Sequence, residues 1–199
     1  MQSPPLNRTP PKDRLCRFMS VLCLTVMLLS GCRNASRDQQ LMPLAVGNRW
    51  SYLVHTPDSG KSLRVLEIIK DEGDGVYSAV DGGEPGLWTW QDGFLSVQQR
   101  GRRIYLLAVP ATTGTGWWTV TPEGAKVWCK IAGRRRVEVS AGVFPSCVEV
   151  VMVPLGGRTE MRHWFAPGVG WIKYCYGPRG KEPWMVRELT DFRPGGSGN

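Results

Sequence analysis

The chain has 199 residues and a formal net charge of +8, and removing residues 1–31 leaves 21 Lys and Arg against 16 Asp and Glu. That length suits one domain of ordinary size. A moderately basic surface is compatible with anionic lipid, polysaccharide or nucleic acid, and export would argue against nucleic acid as the working partner.

Arg8, Lys12, Arg14 and Arg17 precede an apolar stretch, with Asp13 the only acid among them. The stretch covers residues 18–29 and is interrupted only by Ser20 and Thr25. It falls within the ~7–15 residues of a signal-peptide apolar region and short of the ~20 needed to span a bilayer. No later apolar stretch is long enough to cross a membrane as a helix. Leu29-Ser30-Gly31-Cys32 closes the segment and resembles the lipobox of bacterial lipoproteins. The resemblance implies a removable signal helix over residues 1–31 and a mature chain that begins at Cys32. Cys32 would carry a diacylglyceryl group on sulfur, and its new amine would accept a further acyl chain such as palmitate. Each buried CH₂ contributes ~0.8 kcal/mol, so two or three chains anchor stably where one does not. Arg33 stands where Asp marks inner-membrane retention in enteric bacteria. The resemblance therefore points to the outer membrane, facing the periplasm. Cys16 and Cys23 fall inside the leader and carry no role.

Residues 32–41 are mostly polar and read as a tether, residues 42–193 as one β-rich domain, and the glycine-rich residues 194–199 as a flexible tail. Period-two patterns run through the domain. They predict strands at 50–54, 63–69, 76–80, 87–90, 94–98 and 104–109, then a long loop at 110–116. Further strands are expected at 125–131, 135–140, 147–153, 159–165, 169–176 and 184–192. Turn signals separate them, among them Gln91-Asp92-Gly93, Ala132-Gly133, Ala141-Gly142 and Pro167-Gly168. Segments 63–70 and 182–191 are the two where a helix would compete. The pattern is that of a curved antiparallel sheet, an open barrel or a sandwich.

Three phrases resemble a group of uncharacterised β-rich secreted and lipoprotein domains of bacteria. They are Pro43-Leu44 with Gly47, Trp50 and Tyr52; the hairpin 137–150 around Ala141-Gly142-Val143-Phe144; and Ala166-Pro167-Gly168-Val169-Gly170-Trp171-Ile172-Lys173. Ser140 departs from that pattern, where proline is usual. The resemblance implies a β-rich envelope domain and supplies no catalytic residue.

Cys129, Cys147 and Cys175 allow one disulfide in an oxidising compartment. In a flat meander each sequential pair lies two strands, ~9–10 Å, apart, beyond the ~7 Å that a bridge tolerates. Either the topology departs from a meander, with Cys147–Cys175 ranked ahead of Cys129–Cys147, or all three are buried thiols.

Nine tryptophans are a dense aromatic complement. The pairs Trp88 and Trp90, Trp117 and Trp118, and Trp164 and Trp171 are the candidates to line an apolar or sugar-binding cleft, the first two pairs also an interface, against plain core packing. Trp117 and Trp118, if on a strand, face opposite sides. The clusters Arg100–Arg103 and Arg134–Arg136 read as anion sites or as solvated strand ends. Asp71, Glu72 and Asp74 read as a turn. His55 and His163 are too few for a His-rich metal site, and no metal ligand set or cofactor motif stands out. Gly-x-Ser-x-Gly, His-Glu-x-x-His and phosphate-cradling loops are absent from the sequence, so no catalytic residue is assigned. The expectation is a lipid-anchored envelope lipoprotein whose non-catalytic β-domain binds an apolar ligand or an envelope protein. The alternative is an envelope-polymer hydrolase, which needs an acid pair or a His–acid pair converging in a cleft.

Overall fold

A computed structural model of the chain describes residues 40–196. The leader, Cys32, all but the end of the tether and the last three residues lie outside the described residues. Twelve strands follow one another: β1 (Arg49–Thr56), β2 (Gly60–Gly73), β3 (Val76–Asp81), β4 (Glu84–Gln91), β5 (Phe94–Gln99), β6 (Arg102–Ala108), β7 (Gly116–Val120), β8 (Lys126–Val139), β9 (Gly142–Pro154), β10 (Thr159–Ala166), β11 (Gly170–Pro178) and β12 (Met185–Arg193). They form one sheet in the order β6-β5-β4-β3-β2-β1-β12-β11-β10-β9-β8-β7. Every ladder is antiparallel. Consecutive strands pair throughout except β6 and β7, and β1 pairs with β12. The sheet is therefore an up-and-down barrel, nearly closed, with its seam in the middle of the sequence. At the seam, the backbone N–H of Tyr105 on β6 donates to Thr119 Oγ1 on β7 at 2.8 Å, and Trp117 Nε1 donates to the Tyr105 carbonyl at 3.1 Å.

The expected curved antiparallel sheet is thus what the residues build. Neither segment is helix: 63–70 lies within β2, and 182–191 is strand from Met185, where β12 begins. Two expectations are corrected. Residues 125–131 and 135–140 are not two strands but one, β8, whose register against β9 shifts at Ile131/Gly133 and again at Arg135/Val137. Gly133 has φ +147°, and a glycine bulge bends a strand without ending it. Residues 116–120, placed between a loop and a strand, are themselves strand β7.

One end of the barrel is stoppered. Residues 40–48 cross it: Gly168 N–H donates to the Gln40 carbonyl (2.8 Å), Trp90 Nε1 to the Met42 carbonyl (2.9 Å) and Gly47 N–H to the Ile68 carbonyl (2.8 Å). These bonds tie the segment to the β10–β11 turn, β4 and β2. Leu41 and Met42 are fully buried, so the packed domain includes Leu41, the last residue assigned to the tether. Burying two such side chains contributes ~1.5–3 kcal/mol each. Asn48 locks the stopper by donating to the Pro43 carbonyl (2.6 Å) and accepting from Gly195 N–H (2.6 Å). Gly195, assigned to the tail, is therefore held by the domain. The tip of the β8–β9 hairpin reaches β12, where Ala141 N–H donates to the Leu189 carbonyl at 2.9 Å.

Gly170 shows how tightly this end is packed. Its φ is +104°, and a Cβ there would lie 2.8 Å from Met42 Sδ and 3.2 Å from Trp50 Nε1. Gly170→Ala is expected to cost ~1–3 kcal/mol, from backbone strain and overpacking together. Urea unfolding followed by tryptophan fluorescence checks this; an unchanged midpoint would contradict the packing described.

Candidate functional site: the barrel interior

Alternation along each strand sends one set of side chains inward. Near the stoppered end that set is solid core: Trp50, Tyr52, Leu66, Ile68 and Leu95 are all buried. Toward the opposite end the filling stops, and a cavity of about 310 Å³ remains. Its apolar wall includes Trp88, Ile104, Leu106, Met152, Met161 and Trp171. Its mouth is framed by half-buried residues at strand ends, Val54, Gln99, Pro122 and Met185. The volume is at the low end of the ~300–1,000 Å³ common to ligand pockets.

A polar row interrupts this lining, and register explains why its groups meet. His163 on β10 pairs with Tyr174 on β11, Tyr174 with Arg187 on β12, and Arg187 with Val54 on β1. Cross-strand partners share a face, so His163, Tyr174 and Arg187 form an inward row. Arg187 forks onto Asp81 of β3, with Nη1–Oδ2 at 3.0 Å and Nη2–Oδ1 at 2.9 Å. Arg64 of β2 adds Nε–Oδ1 at 2.8 Å and Nη2 to the Asp81 carbonyl at 3.1 Å. Burial alone would raise the Asp81 carboxyl, but the Arg187 charge and hydrogen bonds, with those of Arg64, hold it below the ordinary value. The cluster carries two guanidinium groups against one carboxylate and so one excess positive charge.

Aromatic rings hold Arg187 in place. Its guanidinium carbon lies 3.9 Å from the Tyr52 ring centre and 4.7 Å from that of Trp171, which is cation–π range. Tyr52 in turn donates its hydroxyl to the Trp171 carbonyl at 2.8 Å. His163 is wedged among rings, 5.2 Å from Trp171 and 4.9 Å from Tyr174 between centres. Burial, helped by the Arg187 charge, pushes His163 down to about 3, so it is neutral. Among the described residues, neither His163 nitrogen nor Arg187 Nε has a hydrogen-bond partner. Burial raises the Tyr174 hydroxyl above its ordinary value, so it stays protonated.

The tryptophans singled out in the sequence do not all come together. Trp88 lines the cavity. Trp90 serves the stopper through its bond to Met42, and Trp117 serves the seam. Trp118 is 52% exposed on the outer face, packed on Trp128 with ring centres 5.1 Å apart. The second cavity tryptophan is Trp171, also a sequence candidate, while Trp164 does not line this cavity and the polar groups Arg64, Asp81, Tyr174 and Arg187 are not among the candidates. Their one sequence signal is parity: Arg187 shares its face of β12 with buried Leu189, and Asp81 shares its face of β3 with buried Ala79.

Cys129, Cys147 and Cys175 are free thiols. The favoured Cys147–Cys175 pair is not formed. The two lie on β9 and β11 with β10 between them, ~9–10 Å apart across the sheet. They are also offset along it, because Cys175 is level with Arg162 and, through it, with Val151. Burial pushes Cys129 up to about 12 and Cys147 up to about 11, so neither offers a thiolate. Of the basic clusters, Arg100 pairs with Glu123 (3.2 Å), and Arg135 with Arg162 holds the fully buried Glu149 (2.5 and 3.0 Å). Glu72, in the acidic run, bonds Lys70 and Ser78. His55 is exposed on β1.

No protein-family model and no curated protein matches the chain. Solved structures do. A Bacteroides fragilis protein described as a "putative exported protein with YMCC-like fold" superposes with a TM-score of 0.51 at 13% identity, covering 77% of this chain and 98% of that one. The likeness is one of fold. A Parabacteroides distasonis "putative lipoprotein" gives a TM-score of 0.48 at 8% identity over the same shares.

Neutral His163 links the site to pH. Its folded value of about 3 lies below the ordinary 6.5, so between those values the unfolded chain binds the extra proton. Stability should fall as pH drops through that window, by up to ~1.4 kcal/mol per pH unit. His163→Phe, which keeps the ring stacking, should lose this contribution. Denaturant unfolding of both proteins from about pH 7 to about pH 4 measures the difference; parallel curves would contradict a buried neutral histidine.

Proposed function

We propose that the protein is a lipid-anchored cell-envelope lipoprotein whose barrel takes an apolar ligand into its interior without transforming it. The observation that carries the reading is the cavity: apolar on one wall, closed at one end and framed by half-buried residues at the other. Well-packed interiors leave few voids larger than a water molecule, so an opening of about 310 Å³ in a small barrel is a built feature. The only carboxylate among its described lining residues, Asp81, is committed to two guanidinium groups. Neither an acid pair nor a His–acid pair is available there, which weighs against hydrolysis.

The anchor rests on the lipobox-like Leu29-Ser30-Gly31-Cys32. Cys32 would fix the chain to the periplasmic face of the outer membrane, residues 33–39 would space it, and the barrel would present its mouth to envelope lipids. The Bacteroides fragilis protein that shares the fold is described as a "putative exported protein", which agrees with a location in the cell envelope.

Two measurements test the two halves. Cys32→Ser should abolish incorporation of labelled palmitate and release the protein from membranes; retained label would refute the anchor. For the barrel, the neutral fluorophore N-phenyl-1-naphthylamine should bind and brighten. Val97→Phe, which extends a cavity-lining side chain into the space, should weaken that binding about tenfold, the scale of ~1–3 kcal/mol for overpacking. Unchanged binding in the filled variant would show that the fluorophore sits elsewhere and contradict the interior site.

A further inference from the structure

We infer that the interior selects an amphiphile with a singly charged anionic head, an acyl carboxylate, whose oxygens would meet Arg187 Nε and His163 while its chain lies along the apolar wall. This deepens the reading of the barrel as an apolar-ligand site and rests on it. Three observations converge. The wall cluster of Arg64, Arg187 and Asp81 carries one excess positive charge at the edge of a largely apolar space, with the Arg64 side chain 37% exposed and the Arg187–Asp81 pair buried. Solvent screens part of that charge, and one negative charge on a ligand would offset the rest. Next, the unsatisfied donors point to an acceptor. Arg187 is 6% exposed and His163 4% exposed, both line the cavity, and Arg187 Nε and both His163 nitrogens lack partners among the described residues. A neutral imidazole offers one N–H, and guanidinium Nε offers another. A carboxylate accepts both.

The chemistry also excludes other heads. A quaternary ammonium would add a second unpaired positive charge beside Arg187. An alcohol would satisfy a donor but leave the charge. A phosphate monoester dianion would reverse the imbalance, because Arg64 and Arg187 are the only cationic side chains among the described lining residues. Chain and head then have separate walls: Trp88, Ile104 and Leu106 from β4 and β6 on one side, and the row from β10 to β12 on the other.

The test uses the full-length chain in neutral phosphatidylcholine nanodiscs, with empty nanodiscs as reference. Octanoate, octanol, octyltrimethylammonium and octyl phosphate are titrated calorimetrically. Octanoate should bind at least about tenfold more tightly than the other three, the size of a charge-assisted hydrogen bond. Arg187→Met alone leaves buried Asp81 with Arg64 as its one remaining cation and risks unfolding, so the decisive variant is Arg187→Met with Asp81→Asn, which removes the Nε donor while Arg64 keeps the net charge of the cluster unchanged. It should bind octanol as the parent does and lose the preference for octanoate. His163→Phe should lose part of that preference. Equal binding of octanoate and octanol by the parent, or an undiminished preference in the double variant, would overturn the head-group site and leave the apolar reading standing. Binding of none of the four would instead overturn the apolar reading itself.

Discussion

Curling twelve strands until β6 faces β7 is the constraint from which the interior follows. Strands lie ~4.8 Å apart in a ladder. Trp88 on β4 and Trp171 on β11 are five spacings apart in the sheet order, ~24 Å if the sheet were flat, yet their ring centres are 6.4 Å apart. Asp81 on β3 and Arg187 on β12 are three spacings apart and share two hydrogen bonds. Only a rolled sheet makes either contact. Closure also deals with the exposed edges that an open sheet leaves. Here Tyr105 supplies the link through its backbone N–H and carbonyl, with Thr119 and Trp117 answering from the other edge.

Rolling the sheet creates a low-dielectric inside, and the charges placed there change its character. A buried ion pair is not in itself a source of stability, because desolvation offsets much of the attraction. Asp81 nevertheless stays ionised, since two guanidinium groups face it, and Arg187 is held between Tyr52 and Trp171. The rings do two jobs: they pack the core beside the stopper, and they orient a cation at the cavity wall. The row His163–Tyr174–Arg187 runs across three neighbouring strands. Its members are far apart in sequence and adjacent only through register.

Local pattern carried most of the architecture. Alternation at Trp50, Tyr52 and Val54, and turn pairs such as Asp92-Gly93, mark strands and hairpins because they depend only on neighbours along the chain. The β1–β12 ladder was not legible, because it joins the two ends of the domain and no local signal encodes it. Gly133 was read as a turn for a related reason: a glycine that bends a strand and one that reverses it look alike in sequence. At the site, dense tryptophan suggested a cleft but not which rings would line it. Trp88 faces the cavity while Trp118 faces out, a matter of barrel closure rather than composition. Arg187 and Asp81 look like ordinary surface charges until strand parity puts them on the side of Leu189 and Ala79.

The account's central claim is that the interior is a binding site with a charged wall, not leftover space. A crystal structure of the protein grown with octanoate tests it most directly. The account predicts an acyl chain inside the barrel against Trp88 and Ile104, with its carboxylate within hydrogen-bond distance of Arg187 Nε. A barrel whose interior is closed over by its own side chains, with octanoate absent or bound only on the outer face, would contradict it.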